Sequence, residues 1–403
     1  MNSPQCWSRR VRKTRAASWG CVLLVMLLAG GPSWASPSRQ RTPRHSQEST
    51  GEPRLTAIAA VLMDAKTGQV LYDRSAHLEW PPASTTKIMT ALVALERTPL
   101  DTPVTISAPV ARFREGSVVG LPEHARITLR ELLYALMLPS GNDVALAVAE
   151  GVAGTTATFV AQMNTRAVEL GATQTHFTSP HGLYNPDHYS TAYDLGLIAR
   201  AAMENPMFRE IVQTRSWKFS LPGRHARLLI NHNRLLSRYP GADGIKTGYV
   251  HQSGLTLVAS ATHDGWRLIA VVLHSTDMYG DASRLLTYGF AHYHPALLAS
   301  AGEPFVTEQL SGPDVRVVGI VPQPVYGVVT DGNVVQHRVI LDEHLTLPVR
   351  RGSRIGEVVF YDSGKLLRTT PLVAASDVPR HAQQTGILSW LIHAVRFPLS
   401  SVF

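Results

Sequence analysis

Cysteine is almost missing from this chain: two residues in 403, Cys6 and Cys21, both near the N-terminus. The remainder has no thiol for a disulfide framework, a cysteine metal site or a thiol nucleophile. Lysine is scarce too; past residue 35 it occurs only at Lys66, Lys87, Lys218, Lys246 and Lys365. No apolar run is long enough to span a bilayer comfortably, the nearest being 19–30. The 17 histidines show no metal-ligand spacing, and neither a metal nor a cofactor is expected. His181, His188 and His251 read as structural or surface residues.

What is present begins with an export signal. Arg9, Arg10, Arg12, Lys13 and Arg15 precede the apolar stretch, and Ser33-Trp34-Ala35 offers small residues for cleavage. Residues 1–35 read as a signal peptide. Arg9-Arg10 raises twin-arginine export, but Val11 and Arg12 follow where that signal wants apolar residues, so the general secretory route is favoured. The formal charge of +8 mostly belongs to this segment. Without its five cations, 33 basic residues face 30 acidic ones, a net +3, which gives no nucleic-acid footprint.

Residues 36–53 are polar and proline-bearing, the composition of a flexible linker. Strands are expected at 55–62 and 69–72, and helices at 84–96, 129–138, 143–150 and 156–170. Three further strands are expected at 245–250, 254–262 and 266–274, then a helix at 283–291. Strands at both ends with helices between them predict an α+β domain over 54–293, with one sheet drawn from both chain ends. Short β-rich runs separated by Gly, Pro and Asp predict a small all-β sandwich at 296–375. Residues 384–403 hold a segment apolar over a wide arc, with Ser389, His393 and Arg396 as a narrow polar stripe. It is too short to span, and an amphipathic tail lying on a membrane surface is expected.

Three short motifs carry the chemistry. In Ser84-Thr85-Thr86-Lys87 the lysine lies one helical turn from the serine, where an uncharged amine can remove the hydroxyl proton. Arginine cannot deprotonate, so lysine at 87 in a chain that otherwise favours arginine suits a base. Ser140-Gly141-Asn142 falls between two expected helices. Lys246-Thr247-Gly248 opens the second strand cluster, where a sheet edge can take an extended peptide and glycine permits close backbone approach. Lys66-Thr67-Gly68 repeats the last triplet, but it precedes Ser84 in a hairpin turn and is assigned turn chemistry only. Each motif alone is common; the order of all three is not.

With Ala83 to Thr90, Ser140 to Asp143, His181-Gly182-Leu183, 189–194 and Asp243 to Gly248, the sequence resembles the D-alanyl-D-alanine carboxypeptidases, the low-molecular-mass penicillin-binding proteins of peptidase family S11. The resemblance covers 54–292; the β-rich region and the tail look like that family's C-terminal parts. Tyr249 departs from members with histidine after the Lys-Thr-Gly triplet. The resemblance implies a serine β-lactamase/DD-peptidase-like domain in which Ser84 is acylated and Lys87 is the general base. It makes Ser140 the proton relay and has Asn142 orient the substrate amide. Lys246, Thr247 and Gly248 would bind the substrate's terminal carboxylate. Peptidoglycan stem peptides would be the substrate, β-lactams the inhibitors, and the outer face of the cytoplasmic membrane the location. A β-lactamase and a catalytically silent wall-binding scaffold are the alternatives.

Overall fold

The computed structural model describes residues 51–379, except 221–224, 311–314 and 344. The expected signal peptide, nearly all of the linker and the amphipathic tail lie outside the described residues. The described chain enters as a hairpin, β1 (Ala59–Asp64) and β2 (Val70–Arg74). A 3-10 turn, Ala83–Thr86, then runs into α1 (Lys87–Arg97). A short ladder of β3 (Pro103–Thr105) and β4 (Arg126–Thr128) brackets α2 (Ala108–Arg112). The helical layer continues with α3 (Leu129–Met137), α4 (Asn142–Ala153), α5 (Thr156–Glu169), α6 (Ala192–Glu204) and α7 (Pro206–Gln213). A hairpin of β5 (Ser216–Phe219) and β6 (Arg227–Ile230) and the short α8 (Leu235–Arg238) lead to β7 (Ala242–Val250), β8 (Gly254–His263), β9 (Trp266–Ser275) and α9 (Met278–His292).

The two chain ends do build one antiparallel sheet, ordered β2-β1-β9-β8-β7, as the pattern predicts. Val61, Val258, Ile269 and Val271 face the helical layer, while Leu62, Leu257, Leu268 and Val272 pack with α9. Burial on both faces explains why β8 and β9 read as apolar runs rather than alternating strands. β7 is the outer strand beyond β8, so its second edge carries main-chain groups that the sheet does not use.

The C-terminal region is all β. β10 (Tyr293–Ala299) pairs with β13 (Val325–Thr330). β11 (Pro304–Gln309), β12 (Arg316–Ile320), β14 (Val335–Leu341), β15 (Arg354–Asp362) and β16 (Lys365–Ala374) form a sheet ordered β11-β12-β16-β15-β14. Val317, Ile355, Phe360 and Leu372 belong to one core with Val325 of β13. The turn after β1 docks this region. Gln69 donates to the Val328 carbonyl at 2.7 Å and accepts from its N–H at 2.9 Å. The ammonium of Lys66 lies 3.4 Å from the Tyr326 ring centre. The second Lys-Thr-Gly triplet is thus a docking turn.

β1 begins later than the sequence suggests because residues before it are held by a side chain. Buried Asp281, in the first turn of α9, accepts from the Thr56 and Ala57 amides and from the Thr56 and Ser275 hydroxyls. Arg284 donates to Oδ1, which the Thr56 amide also reaches. Burial pushes the carboxyl pKa up, but the bonds from Ser275, Thr56 and Arg284 outweigh it and hold the group below its ordinary value. A carboxylate depressed on folding stabilises above its unfolded pKa, and the contribution fades as pH falls through the folded value. Asp281→Ala should therefore lower the unfolding free energy by about 3 kcal/mol at neutral pH. Urea denaturation of both chains at neutral and acid pH should show the difference shrinking in acid.

Candidate active site

Pro82 precedes the turn that carries Ser84, and its carbonyl accepts from the Thr85 hydroxyl at 2.6 Å. A 3-10 helix has three residues per turn, so side chains at i and i+3 eclipse. That local geometry, rather than the α-helix expected from residue 84 onward, brings Lys87 Nζ to 2.8 Å from Ser84 Oγ. Ser84 is half-buried, whereas Lys87 is wholly buried.

Lys87 Nζ also lies 2.7 Å from Asn142 Oδ1 and 2.7 Å from the His181 carbonyl. An ammonium has three N–H bonds and satisfies all three acceptors. A neutral amine has two. With Asn142 Oδ1 and the His181 carbonyl able only to accept, the lone pair is left facing the Ser84 hydroxyl. The same geometry therefore serves Lys87 with or without the proton. Burial drives its pKa well below the ordinary lysine value, Lys246 lowers it further, and Asp143 opposes them.

Lys246 is buried on β7, donates to the Thr247 carbonyl at 3.1 Å, and has its pKa brought down by burial to about 7. Gly248 explains how β7 comes so near. A Cβ there would press on Thr256 Oγ1, the Pro82 carbonyl and Ala83 Cβ, so the close approach is to the turn bearing Ser84. Ser140 sits between α3 and α4 at φ +66°, a left-handed conformation sparsely used by non-glycine residues. Its hydroxyl is buried and has no hydrogen-bond partner among the described residues. No direct bond joins Ser140, Thr247 or Gly248 to Ser84 or Lys87 among the described residues. Tyr249 points to solvent, 62% exposed.

Asn142 Oδ1 holds Lys87, and Nδ2 uses one of its two N–H donors on the Glu115 carbonyl at 2.9 Å. His181 contributes its carbonyl, and burial, Lys87 and His188 hold its ring pKa down at about 3. His188 is buried, bonded to Thr86 Oγ1 at 2.9 Å, and brought down to about 4 by burial, His176 and Lys87. Both rings are neutral near neutral pH, in keeping with structural roles. His251 is at the surface. Among the described residues no group of three or more His, Cys, Asp or Glu side chains can hold a metal.

Two residues that the motifs contain but to which the sequence reading gave no role also contribute. Gly182 stands at φ +82°, and a Cβ there would collide with the Ala83 carbonyl and Thr86 Oγ1. It lets the His181 carbonyl reach Lys87. Buried Asp143 accepts from the main-chain amides of Val119 (2.9 Å), Gly120 (2.7 Å) and Leu121 (3.2 Å). A carboxylate directly after Ser-Gly-Asn and just before the apolar run Val144 to Ala149 was the available signal.

Residues 46–277 match the family model described as D-alanyl-D-alanine carboxypeptidase, and 293–380 match that of the penicillin-binding protein 5 C-terminal domain. The chain is 29% identical over 380 residues to a D-alanyl-D-alanine carboxypeptidase, DacF, of Bacillus subtilis, covering 91% of this chain and 94% of that one. It is 32% identical to the Escherichia coli D-alanyl-D-alanine carboxypeptidase DacD, covering 85% and 92%. The crystal structure of penicillin binding protein 5 from Haemophilus influenzae superposes with a TM-score of 0.73 at 29% identity, covering 82% of this chain and all of that one.

Asp143 pins the segment whose Glu115 and Ser117 carbonyls hold Asn142 in turn. Asp143→Ala should raise hydrogen exchange at the 119–121 amides by about 100-fold. Asp143→Asn, which keeps one acceptor oxygen, should fall between it and the wild type by mass spectrometry.

Proposed function

The chain belongs to the D-alanyl-D-alanine carboxypeptidases of peptidase family S11, and on that footing we propose that Ser84 is the residue it acylates and Lys87 the base that activates it. The protein is a serine-type enzyme that removes the terminal D-alanine from peptidoglycan stem pentapeptides and binds penicillin. The observation that carries the residue assignment is the three-way contact of Lys87 Nζ, with Ser84 Oγ at 2.8 Å.

Ser84 Oγ attacks the carbonyl carbon of the penultimate D-alanine, and its proton passes to Lys87 Nζ. The Ser84 N–H and an N–H of β7 beyond Lys246 receive the oxyanion, each donor worth about 3 kcal/mol. Ser140 passes the proton taken up by Lys87 on to the departing amine as the C–N bond breaks, which returns Lys87 to its neutral form; its unpartnered hydroxyl supports that role. D-Alanine leaves and an acyl-ester remains on Ser84. Water attacks the ester carbonyl and gives a proton to Lys87, which returns it to Ser84 Oγ as the acyl C–O bond breaks, releasing the shortened peptide and restoring both groups. Asn142 positions Lys87, and the second N–H of its Nδ2 can orient the substrate amide while the first stays on Glu115. Lys246, Thr247 and Gly248 receive the terminal carboxylate by charge-assisted hydrogen bonds. β-Lactams present a strained amide and a carboxylate to the same groups and acylate Ser84.

We further infer export through residues 1–35, with the catalytic domain spanning 54–293, the β domain 296–375, and residues 384–403 resting on the outer face of the cytoplasmic membrane. The basic and apolar runs near the N-terminus and the apolar arc at 387–397 support this reading.

Ser84→Ala should abolish both fluorescent-penicillin labelling and D-alanine release from a pentapeptide; a variant that labels or cleaves like the wild type would sink the assignment. The two lysines set the pH profile. Lys87 must be neutral, so kcat/KM rises with pH through its depressed pKa; Lys246 must be charged, so kcat/KM falls as pH passes its own. Bound carboxylate restores the Lys246 charge, placing the alkaline limb for kcat at higher pH than for kcat/KM. Lys246→Arg, which stays charged, should lose that limb at a reduced overall rate.

A further inference from the structure

A groove of about 530 Å³ lies where the catalytic and β domains meet. Lys66, Arg200, Arg209 and Trp266 line it from the catalytic domain, with the carboxylates Glu204 and Asp264 among them, and Leu297 and Tyr326 line it from the β domain, so cations outnumber anions. Its cations are held in an unusual way. Arg200 donates through Nε to the Ala65 carbonyl and through Nη2 to the Lys66 carbonyl, both at 3.1 Å. Arg209 donates through Nη1 to the Met203 and Glu204 carbonyls, at 2.7 and 2.9 Å. Main-chain carbonyls fix both forks without neutralising them. The nearest carboxylate paired with Arg200 among the described residues is Glu204, at 4.0 Å. A guanidinium has five N–H donors, so donors remain on both. Lys66 lies over the Tyr326 ring. Tyr326 is 41% exposed and Leu297 49%, giving aromatic and aliphatic surface beside the charges.

We propose that this groove is a second, non-catalytic site for peptidoglycan, receiving a stem-peptide carboxylate on Arg200, Arg209 and Lys66, with apolar groups of the strand against Trp266 and Tyr326. The proposal rests on the reading of the protein as a peptidoglycan carboxypeptidase. Charge complementarity argues for it: the polymer on which the enzyme acts bears free carboxylates at regular intervals. Fixed, under-neutralised guanidinium groups bind carboxylates with little ordering to pay for. Along β8, from Val258, the partner of Lys246, to the turn at Asp264, is on the order of 20 Å. That is the distance a strand would have to span to occupy the groove while another of its stem peptides enters the cleft.

The test is co-sedimentation of the full-length protein with purified insoluble peptidoglycan, comparing wild type, Lys66→Glu and Arg200→Gln. Penicillin labelling of Ser84 reports that each variant is folded. Lys66 holds no main-chain group, so Lys66→Glu carries the test if Arg200→Gln unfolds. The expected result is about tenfold weaker sedimentation with unchanged labelling, and wild-type binding that weakens with salt. Wild-type binding by Lys66→Glu overturns the proposal. So does a loss confined to phosphatidylglycerol vesicles, which would assign the groove to lipid. Ser84→Ala still releasing D-alanine would strike the catalytic reading and leave the binding comparison intact.

Discussion

Everything in this active site depends on three acceptors converging on one buried amine. Ser84 Oγ, Asn142 Oδ1 and the His181 carbonyl lie 2.7–2.8 Å from Lys87 Nζ. Two of them cannot donate, so when the amine is neutral only the serine can face its lone pair. Buried polar groups that are fully satisfied hold one arrangement, and here that arrangement is the reactive one. No histidine is needed: His181 and His188 are neutral rings whose neighbourhood would penalise a proton.

The fold holds those acceptors from separate parts of the chain. Asn142 opens α4, and the segment held by Asp143 closes over it through Glu115 and Ser117. Gly182 brings the His181 carbonyl against the turn of Ser84, and Gly248 brings the sheet edge against the same turn. The sheet itself joins the chain's two ends, with Asp281 clasping the entry to β1. Small residues and buried carboxylates set the distances on which the lysine chemistry relies.

Much of this was legible before any coordinates. The Ser84–Lys87 pair was readable because a helical turn sets its spacing, and the two-ended sheet because strand patterns occur at both ends of the domain. The β-rich C-terminal region showed itself through turn residues between short runs. The third acceptor of Lys87 was not readable, since a main-chain carbonyl has no sequence signature. Element ends moved for local reasons. Asp277 caps α9 through the Gly280 amide at 3.0 Å, so the helix starts at Met278 rather than near 283. α6 and α7 went unread although Thr191 and Asn205 cap them. The inner face of α6 is largely small residues, Ala192, Gly196, Ala199 and Ala202, which dilute the apolar period.

The two buried lysines also couple binding to chemistry. In the free enzyme the charge on Lys246 helps keep the proton off Lys87. In the proposed binding mode a substrate carboxylate reaching Lys246 would cancel that field, and the proton affinity of Lys87 would rise as the carbonyl comes into place beside Ser84. The base thus strengthens when it has a proton to take. Once Lys87 has passed its proton to the leaving amine and D-alanine has departed, the restored field would again keep the amine neutral, the state in which it can take a proton from the attacking water. A peptide lacking that carboxylate would gain neither the binding contact nor the strengthened base, so on this proposal selectivity for a free C-terminus would arise in the rate of acylation as well as in affinity.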